Sequence, residues 1–444
     1  MRIVIIGGVA AGMSAAAKLK RLKPEDEVVV YEKTDIVSFG ACGLPYYVGG
    51  FFEDEQQMIA RSKEAFQKSG IDLQTEHEVL DVDFSNKKLQ VKNHLIQDVF
   101  EDYYDKLLIA TGASSIIPPI PGIGLKNIST LKSMEDGVVL RARLREEKCK
   151  KVVVIGAGFI GIEVVEALKH MGKEVCLVER EDRILKKVMD AEITSILEEE
   201  LKTQGVDLYL NEEVIRFEGT EKIEKVITNK RTLEADAVIL SIGFKPNTGF
   251  LEHTPIERAP NGAIVVDAEG KTSIEGVYAE GDCATIWHAL MKKAVYVPLA
   301  TGANKLGRIV GENLAGKEVA FQGSLGSSCI KVLEMEAGRT GLTEEEARLE
   351  GFDYKVAFIE DRNQTSYYPG GNKIYVKLIY EKDTYKLLGG QVAGYKDAVQ
   401  RTNVLAACIY AGLTTKELGL LDLCYAPPFS RTWDVLNVAG NVCK

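Results

Sequence analysis

Cys42 stands in SFGACGLPYYVGG, residues 38–50, with no second cysteine nearby. A thiolate is a nucleophile, and a solitary one can carry a catalytic cycle if its oxidised form is a mixed disulfide with a small thiol, or a sulfenic acid. Such chemistry needs a lowered thiol pKa, and the segment predicts Cys42 at the start of a helix, with amides pointing at it. The other cysteines, at 149, 176, 283, 329, 408, 424 and 443, form neither a CxxC pair nor a regular framework, as expected where thiols stay reduced. Of these, Cys149, Cys176, Cys408 and Cys443 read as small buried hydrophobes, the commonest fate of a cysteine.

Two glycine turns supply a second kind of chemistry. RIVIIGGVAAGMSAAAKLKRL followed by EVVVYEK reads as strand, turn, helix and strand, ending in Glu32, 20 residues after Gly12. Backbone amides and a helix N-terminus would face a pyrophosphate, and the acid a ribose hydroxyl. The glycines are Gly7, Gly8 and Gly12, so Val9 occupies the second fingerprint position. KVVVIGAGFIGIEVVEALKHMGKEVCLVER repeats the plan with Gly156, Gly158 and Gly161, and Glu179 follows 18 residues after Gly161. Arg180 beside Glu179 could accept a 2'-phosphate, so both NADH and NADPH are open. Two such units 149 residues apart suggest two dinucleotides, a flavin and a nicotinamide, and hydride transfer between them.

Composition narrows the class. A chain of 444 residues predicts several domains, and a net charge of -10 argues against a nucleic-acid partner. No run of 18 apolar residues could span a membrane, and no metal site is expected. The first 20 residues imitate a secretory signal, but cleavage would delete the first glycine turn, so a cytoplasmic protein is expected. After about residue 325 the chain predicts a hairpin from KIYVKLIY and YKLLGGQVAGY, then a helix over DAVQRTNVLAACIYAGL.

Two further segments, YDKLLIATGA (104–113) and TSIEGVYAEGDCA (272–284), complete a resemblance to the flavin- and pyridine-nucleotide-dependent disulfide reductases over nearly the whole chain. It implies an α/β fold of two Rossmann-like domains, for FAD and NAD(P), with a C-terminal α+β dimerisation domain. The implied order is FAD-binding (1–112), NAD(P)-binding (113–246), FAD-binding again (247–325) and dimerisation (326–444), with DAVILSIGFKPN (236–247) returning the chain. Asp282 would hold the ribityl chain of FAD. Cofactor contacts are further expected at Ala11, Lys33, Ala110, Thr111, Gly112, Gly243 and Gly281.

Better-known members carry a CxxxxC pair, but position 47 is Tyr. The segment instead resembles the single-cysteine branch of coenzyme A-disulfide reductases, NADH oxidases and peroxidases, and persulfide reductases, although Ala41 replaces the usual asparagine before the cysteine. Oxidases and peroxidases carry a histidine where this chain has Ala10, which counts against oxygen or peroxide as substrate. Coenzyme A-disulfide reductases bring two tyrosines from the partner subunit of a homodimer. NQTSYYPGG and LCYAPPFS match those segments, which implies Tyr367 and Tyr425 as catalytic hydroxyls beside Cys42, with Tyr368 the alternative to Tyr367. Ser14, Lys18 and Arg21, at i, i+4 and i+7 of the first helix, would hold the anionic end of coenzyme A. Ser38 and Asn304 are further expected substrate contacts.

The expectation is therefore a homodimeric, NAD(P)H-dependent flavoprotein that reduces coenzyme A disulfide through Cys42. For the persulfide-reductase alternative, the expectation is the short form and not the one with a rhodanese-like extension. A coenzyme A persulfide or polysulfide reductase and an NADH oxidase share the scaffold. A redox-responsive nucleotide-binding protein needs neither the cysteine nor the tyrosines.

Overall fold

A computed structural model describes residues 1–444. The chain forms two compact units, one of residues 1–44, 54–116 and 244–324, the other of residues 45–53, 117–243 and 325–444.

In the first unit, β1 (Arg2–Ile6), α1 (Ala10–Leu22) and β2 (Glu27–Glu32) form the nucleotide motif. The sheet is five-stranded and parallel, ordered Val277–Ala279, Lys106–Ile109, β1, β2, Asp72–Thr75. Its central strands are almost wholly apolar because both faces are covered. Ile3 and Ile5 pack with Leu19 of α1 and with Leu306 and Val310 of the helix Ala300–Leu314. Val4 and Ile6 face the other way, onto Val82, Leu89 and Val91 of an antiparallel three-stranded sheet over residues 77–103. The two helices meet closely: a Cβ added to Gly311 would stand 2.6 Å from the Ala15 carbonyl oxygen.

The second unit repeats the motif with β3 (Lys151–Ile155), α2 (Phe159–His170) and β4 (Glu174–Val178). Its parallel sheet runs Asp207–Tyr209, β4, β3, Ala237–Leu240, Ile128–Ser129. Residues 325–444 build a five-stranded antiparallel sheet, in which Lys373–Glu381 pairs with Leu387–Gly394 as the expected hairpin and Ala398–Ala411 is the expected helix. Lys377, 1% exposed, ties this sheet to the nucleotide motif's side of the unit through Glu192 at 2.7 Å and also reaches Glu344 at 2.8 Å. No helix is long and apolar enough to cross a membrane.

Candidate active site and nucleotide sites

The first glycine turn is shaped by close packing. Gly7 has φ +111°, and a Cβ there would stand 2.2 Å from the Ala110 carbonyl oxygen, so no side chain fits. A Cβ on Gly12 would stand 2.1 Å from the Gly7 carbonyl oxygen. The buried Glu32 carboxylate accepts the Gly8 N–H at 2.8 Å and the N–H and hydroxyl of Thr34 at 2.9 and 2.8 Å. α1 begins with no side-chain cap and no acid in its first turn, which leaves its leading amides available to an anion. Gly281 comes against Ala11, whose Cβ lies 3.0 Å from the position of an added one. The Thr111 hydroxyl donates to the Asn247 carbonyl, and Gly112 accepts the Asn247 N–H. Asp282 lies in the turn Gly281–Cys283, where its carbonyl accepts the Tyr296 hydroxyl at 3.0 Å; Lys33 is exposed on the β2 side. This cradle fits the pyrophosphate and ribose of FAD.

The second turn has the same build. A Cβ on Gly156 would stand 2.5 Å from the Ser241 carbonyl oxygen, and one on Gly161 only 1.9 Å from that of Gly156. Glu179 accepts the Ala157 N–H at 2.6 Å and the Glu181 N–H at 2.9 Å. Gly158 caps α2 with ordinary extended φ/ψ, and a Cβ there would meet nothing within 4 Å. Packing does not require that glycine, whereas the approach of a pyrophosphate does. Arg180 is 71% exposed, and Gly243 is exposed with φ +118°. These residues fit NAD(P)H.

Cys42 is exposed, and none of the eight cysteines is in a disulfide. It sits in a 3-10 turn, Ala41–Gly43, ahead of a helix of only six residues, Leu44–Gly49. The expected helix start is thus corrected to a turn, because Gly40 and Gly43 close on each other (N···O 2.9 Å) before the helix begins. Ser38 fastens the segment to the glycine turn: its N–H donates to the Gly8 carbonyl at 2.9 Å, and it adopts φ +52° to do so.

The expected substrate contacts fall into two groups. Ser14 donates to Asn304 at 2.9 Å, so these two, 290 residues apart, share one surface of the first unit. Lys18, expected as a phosphate-holding cation, is instead engaged by Glu312 at 2.8 Å, since Ala300–Leu314 lies alongside α1. Arg21 is exposed on the same helix.

In the second unit, Tyr367 and Tyr425 bring their hydroxyls to 3.4 Å. That bond raises the Tyr367 hydroxyl above its ordinary 10.0. Tyr368 makes no such contact through its hydroxyl; its carbonyl accepts from Gln364.

Sequence reading missed Asn247, whose amide donates to the Thr111 carbonyl and whose carbonyl oxygen accepts the Ser114 hydroxyl, although it closes the quoted DAVILSIGFKPN. It also missed Glu163 in α2, pushed up to about 7 by burial and then by neighbouring Glu166. A glutamate at helical spacing from an apolar stripe looks solvated until the packing is known.

A family model described as pyridine nucleotide-disulphide oxidoreductase matches residues 1–305, and that of the corresponding dimerisation domain matches residues 327–435. An NAD(P)H coenzyme A polysulfide/persulfide reductase of Pyrococcus horikoshii is 42% identical over 443 residues, covering 100% of this chain and 98% of that protein. A coenzyme A disulfide reductase of Staphylococcus aureus is 31% identical over 447 residues, covering 100% of each. The structure of the water-forming NADH oxidase from Lactobacillus brevis bound to NADH superposes with TM-score 0.95 at 32% identity, covering 99% of this chain and 97% of that one. The chain belongs to the pyridine nucleotide-disulphide oxidoreductases, with their dimerisation domain, and is an FAD- and NAD(P)H-dependent oxidoreductase.

Proposed function

We propose that this protein reduces a sulfur–sulfur bond carried by coenzyme A, with Cys42 as nucleophile and Tyr367 and Tyr425 as proton donors. The observation that carries the reading is the tyrosine pair: two hydroxyls 58 residues apart in sequence meet at 3.4 Å on an otherwise exposed surface. Packing explains a buried tyrosine, but not two exposed ones converging at their polar ends. Residues 1–112 and 247–325 act as the FAD-binding domain, 113–246 as the NAD(P)-binding domain and 326–444 as the dimerisation domain. The working enzyme is a cytoplasmic homodimer in which each subunit's tyrosines serve the partner's cysteine.

For the disulfide, the Cys42 thiolate attacks one sulfur, forming a mixed disulfide with coenzyme A and expelling a coenzyme A thiolate. A tyrosine hydroxyl donates its hydrogen bond to that departing sulfur and stays protonated at neutral pH. The chemistry supplied there by bound FAD is the relay of two electrons from the nicotinamide hydride to sulfur. The mixed disulfide is cleaved, the second coenzyme A leaves as a thiol, and the Cys42 thiolate is restored. The balance is one NAD(P)H and one proton consumed for two thiols. Ser14, Asn304, Ser38 and Arg21 line the substrate's path, and Lys18 contributes only by sharing or releasing Glu312.

A second substrate is favoured by one observation: the relative at 42% identity is named for persulfide and polysulfide, and the one named for disulfide stands at 31%. Attack on a coenzyme A persulfide uses the same groups and yields coenzyme A and hydrogen sulfide, again for one NAD(P)H and one proton. Ala10 in place of histidine weighs against oxygen.

The test compares NAD(P)H consumption with coenzyme A disulfide, coenzyme A persulfide and oxygen, in wild type and Cys42→Ser. Both sulfur activities are expected to fall by at least about a thousandfold in the variant. A Cys42→Ser enzyme that kept normal turnover would refute the reading, as would a wild type for which oxygen is the preferred acceptor.

A further inference from the structure

The tyrosine pair raises a question of support, and the answer deepens the reading above and rests on it. Tyr367 and Tyr425 stand on separate loops, and their 3.4 Å separation lies well beyond the usual O–H···O distance of about 2.8 Å. A contact that long cannot hold two exposed loops in register; the loops must be held elsewhere.

They are held from below. The guanidinium of Arg401, on the helix Ala398–Ala411, is 8% exposed. Its Nη2 donates to the Asn363 carbonyl at 3.1 Å, four residues before Tyr367, and to the Phe429 carbonyl at 3.2 Å, four residues after Tyr425. Nη2 and Nε also reach one carboxylate oxygen of Asp434 at 2.7 and 3.0 Å, and Nη1 reaches the Asp397 carbonyl at 3.3 Å. Above this, the Thr365 hydroxyl donates to the Pro427 carbonyl at 3.1 Å, a direct bond between the two loops, and Arg431 pairs with Asp361 at their base.

We propose that Arg401 is the positioning residue of the tyrosine pair: one buried guanidinium fixes the spacing of both loops, and through them the two hydroxyls that face sulfur. The fork is essential to this role. Its donors lie in one plane at fixed angles, so satisfying both carbonyls and the carboxylate leaves the loops little freedom. A lysine would keep the charge opposite Asp434 but, on a flexible stem and without Nε on the carboxylate, would not fix the direction of the nitrogen that holds both carbonyls. A buried ion pair is by itself a weak source of stability, so stability alone does not account for this arrangement.

The experiment uses the full-length, flavin-loaded dimer and the variants R401K, T365V and Y367F. With the coenzyme A substrate, kcat is expected to fall roughly tenfold in R401K and roughly threefold in T365V. With ferricyanide as acceptor, which needs no proton donor at sulfur, NAD(P)H oxidation should stay at the wild-type rate. The alkaline limb of the kcat profile should move to lower pH in both, because a Tyr367 hydroxyl released from Tyr425 loses the bond that raises it. If Y367F slows turnover while T365V and R401K match wild type in kcat and in the alkaline limb, the clamp is refuted and the tyrosine reading stands. If Y367F turns over normally, the tyrosine reading falls and takes the clamp with it. Should R401K fail to fold, T365V decides alone.

Discussion

The two glycine turns share their first and last glycines and differ between them. In both, the first and last glycines are demanded by the protein: Gly12 crowds the Gly7 carbonyl, as Gly161 crowds that of Gly156. In both, a glutamate at the end of the second strand accepts an amide of the turn, Gly8 for Glu32 and Ala157 for Glu179. Between them the first turn carries Val9, 36% exposed, and the second carries Gly158, around which an added Cβ would find only open space. The outer glycines report what the fold needs, and the middle position reports how closely a ligand must approach. A glycine that nothing in the protein requires is therefore the more informative one about function.

Filling the crowded positions should separate the roles of the two turns. Gly12→Val should give protein purified without flavin, read from the visible absorbance. Gly161→Val should keep its flavin but accept hydride from NAD(P)H about 100-fold more slowly in stopped flow. If Gly161→Val also lost flavin, the two turns would not serve separate nucleotides. Filling the open position sharpens the contrast. Gly158→Ala should leave stability within about 1 kcal/mol of wild type, because a glycine cap is being exchanged and nothing is displaced. It should nevertheless raise the KM for NAD(P)H roughly tenfold, about 1.4 kcal/mol of binding. An unchanged KM would mean that the backbone there does not face the nucleotide.

A carboxyl also lies buried behind the first turn. Glu280 is fully buried, neither of its oxygens has a partner, and a Cβ on Gly307 would stand 2.9 Å from one of them. Burial raises its pKa well above 4.5, so the folded state retains a proton that the unfolded chain gives up. Stability therefore falls as pH rises above 4.5 and is recovered below it. Glu280→Gln should flatten that slope and raise the thermal midpoint at neutral pH by about 2 °C, with little change in acid. Parallel stability curves for variant and wild type would show that Glu280 is solvated or paired after all.

Much of the scaffold was legible because its signals are local. Apolar strands, glycine turns and an acid at the next strand's end lie within about 30 residues of one another, the span of one βαβ unit. The hairpin 373–394 and the helix Ala398–Ala411 were legible for the same reason. The site was legible less evenly. The sequence allowed either Tyr367 or Tyr368 to face sulfur, and the fold brings Tyr367 to Tyr425. Ser14, Lys18 and Arg21 all lie on the helix Ala10–Leu22, but Glu312, distant in sequence, takes Lys18 out of the supply of open cations. Arg401 gave no signal at all, because its value lies in two carbonyls, and carbonyls look the same at every residue.

By itself the sequence determined the parts: two dinucleotide turns, one cysteine without a second thiol near it, and the loops that carry the tyrosines. Those follow from rules of backbone sterics and side-chain chemistry that act over a few residues. Only the tertiary structure decided which groups meet, Ser14 with Asn304, Lys18 with Glu312, Tyr367 with Tyr425, and Arg401 with both tyrosine loops. Such pairings depend on how helices and loops far apart in the chain pack, and close packing selects one arrangement among many that local preference allows.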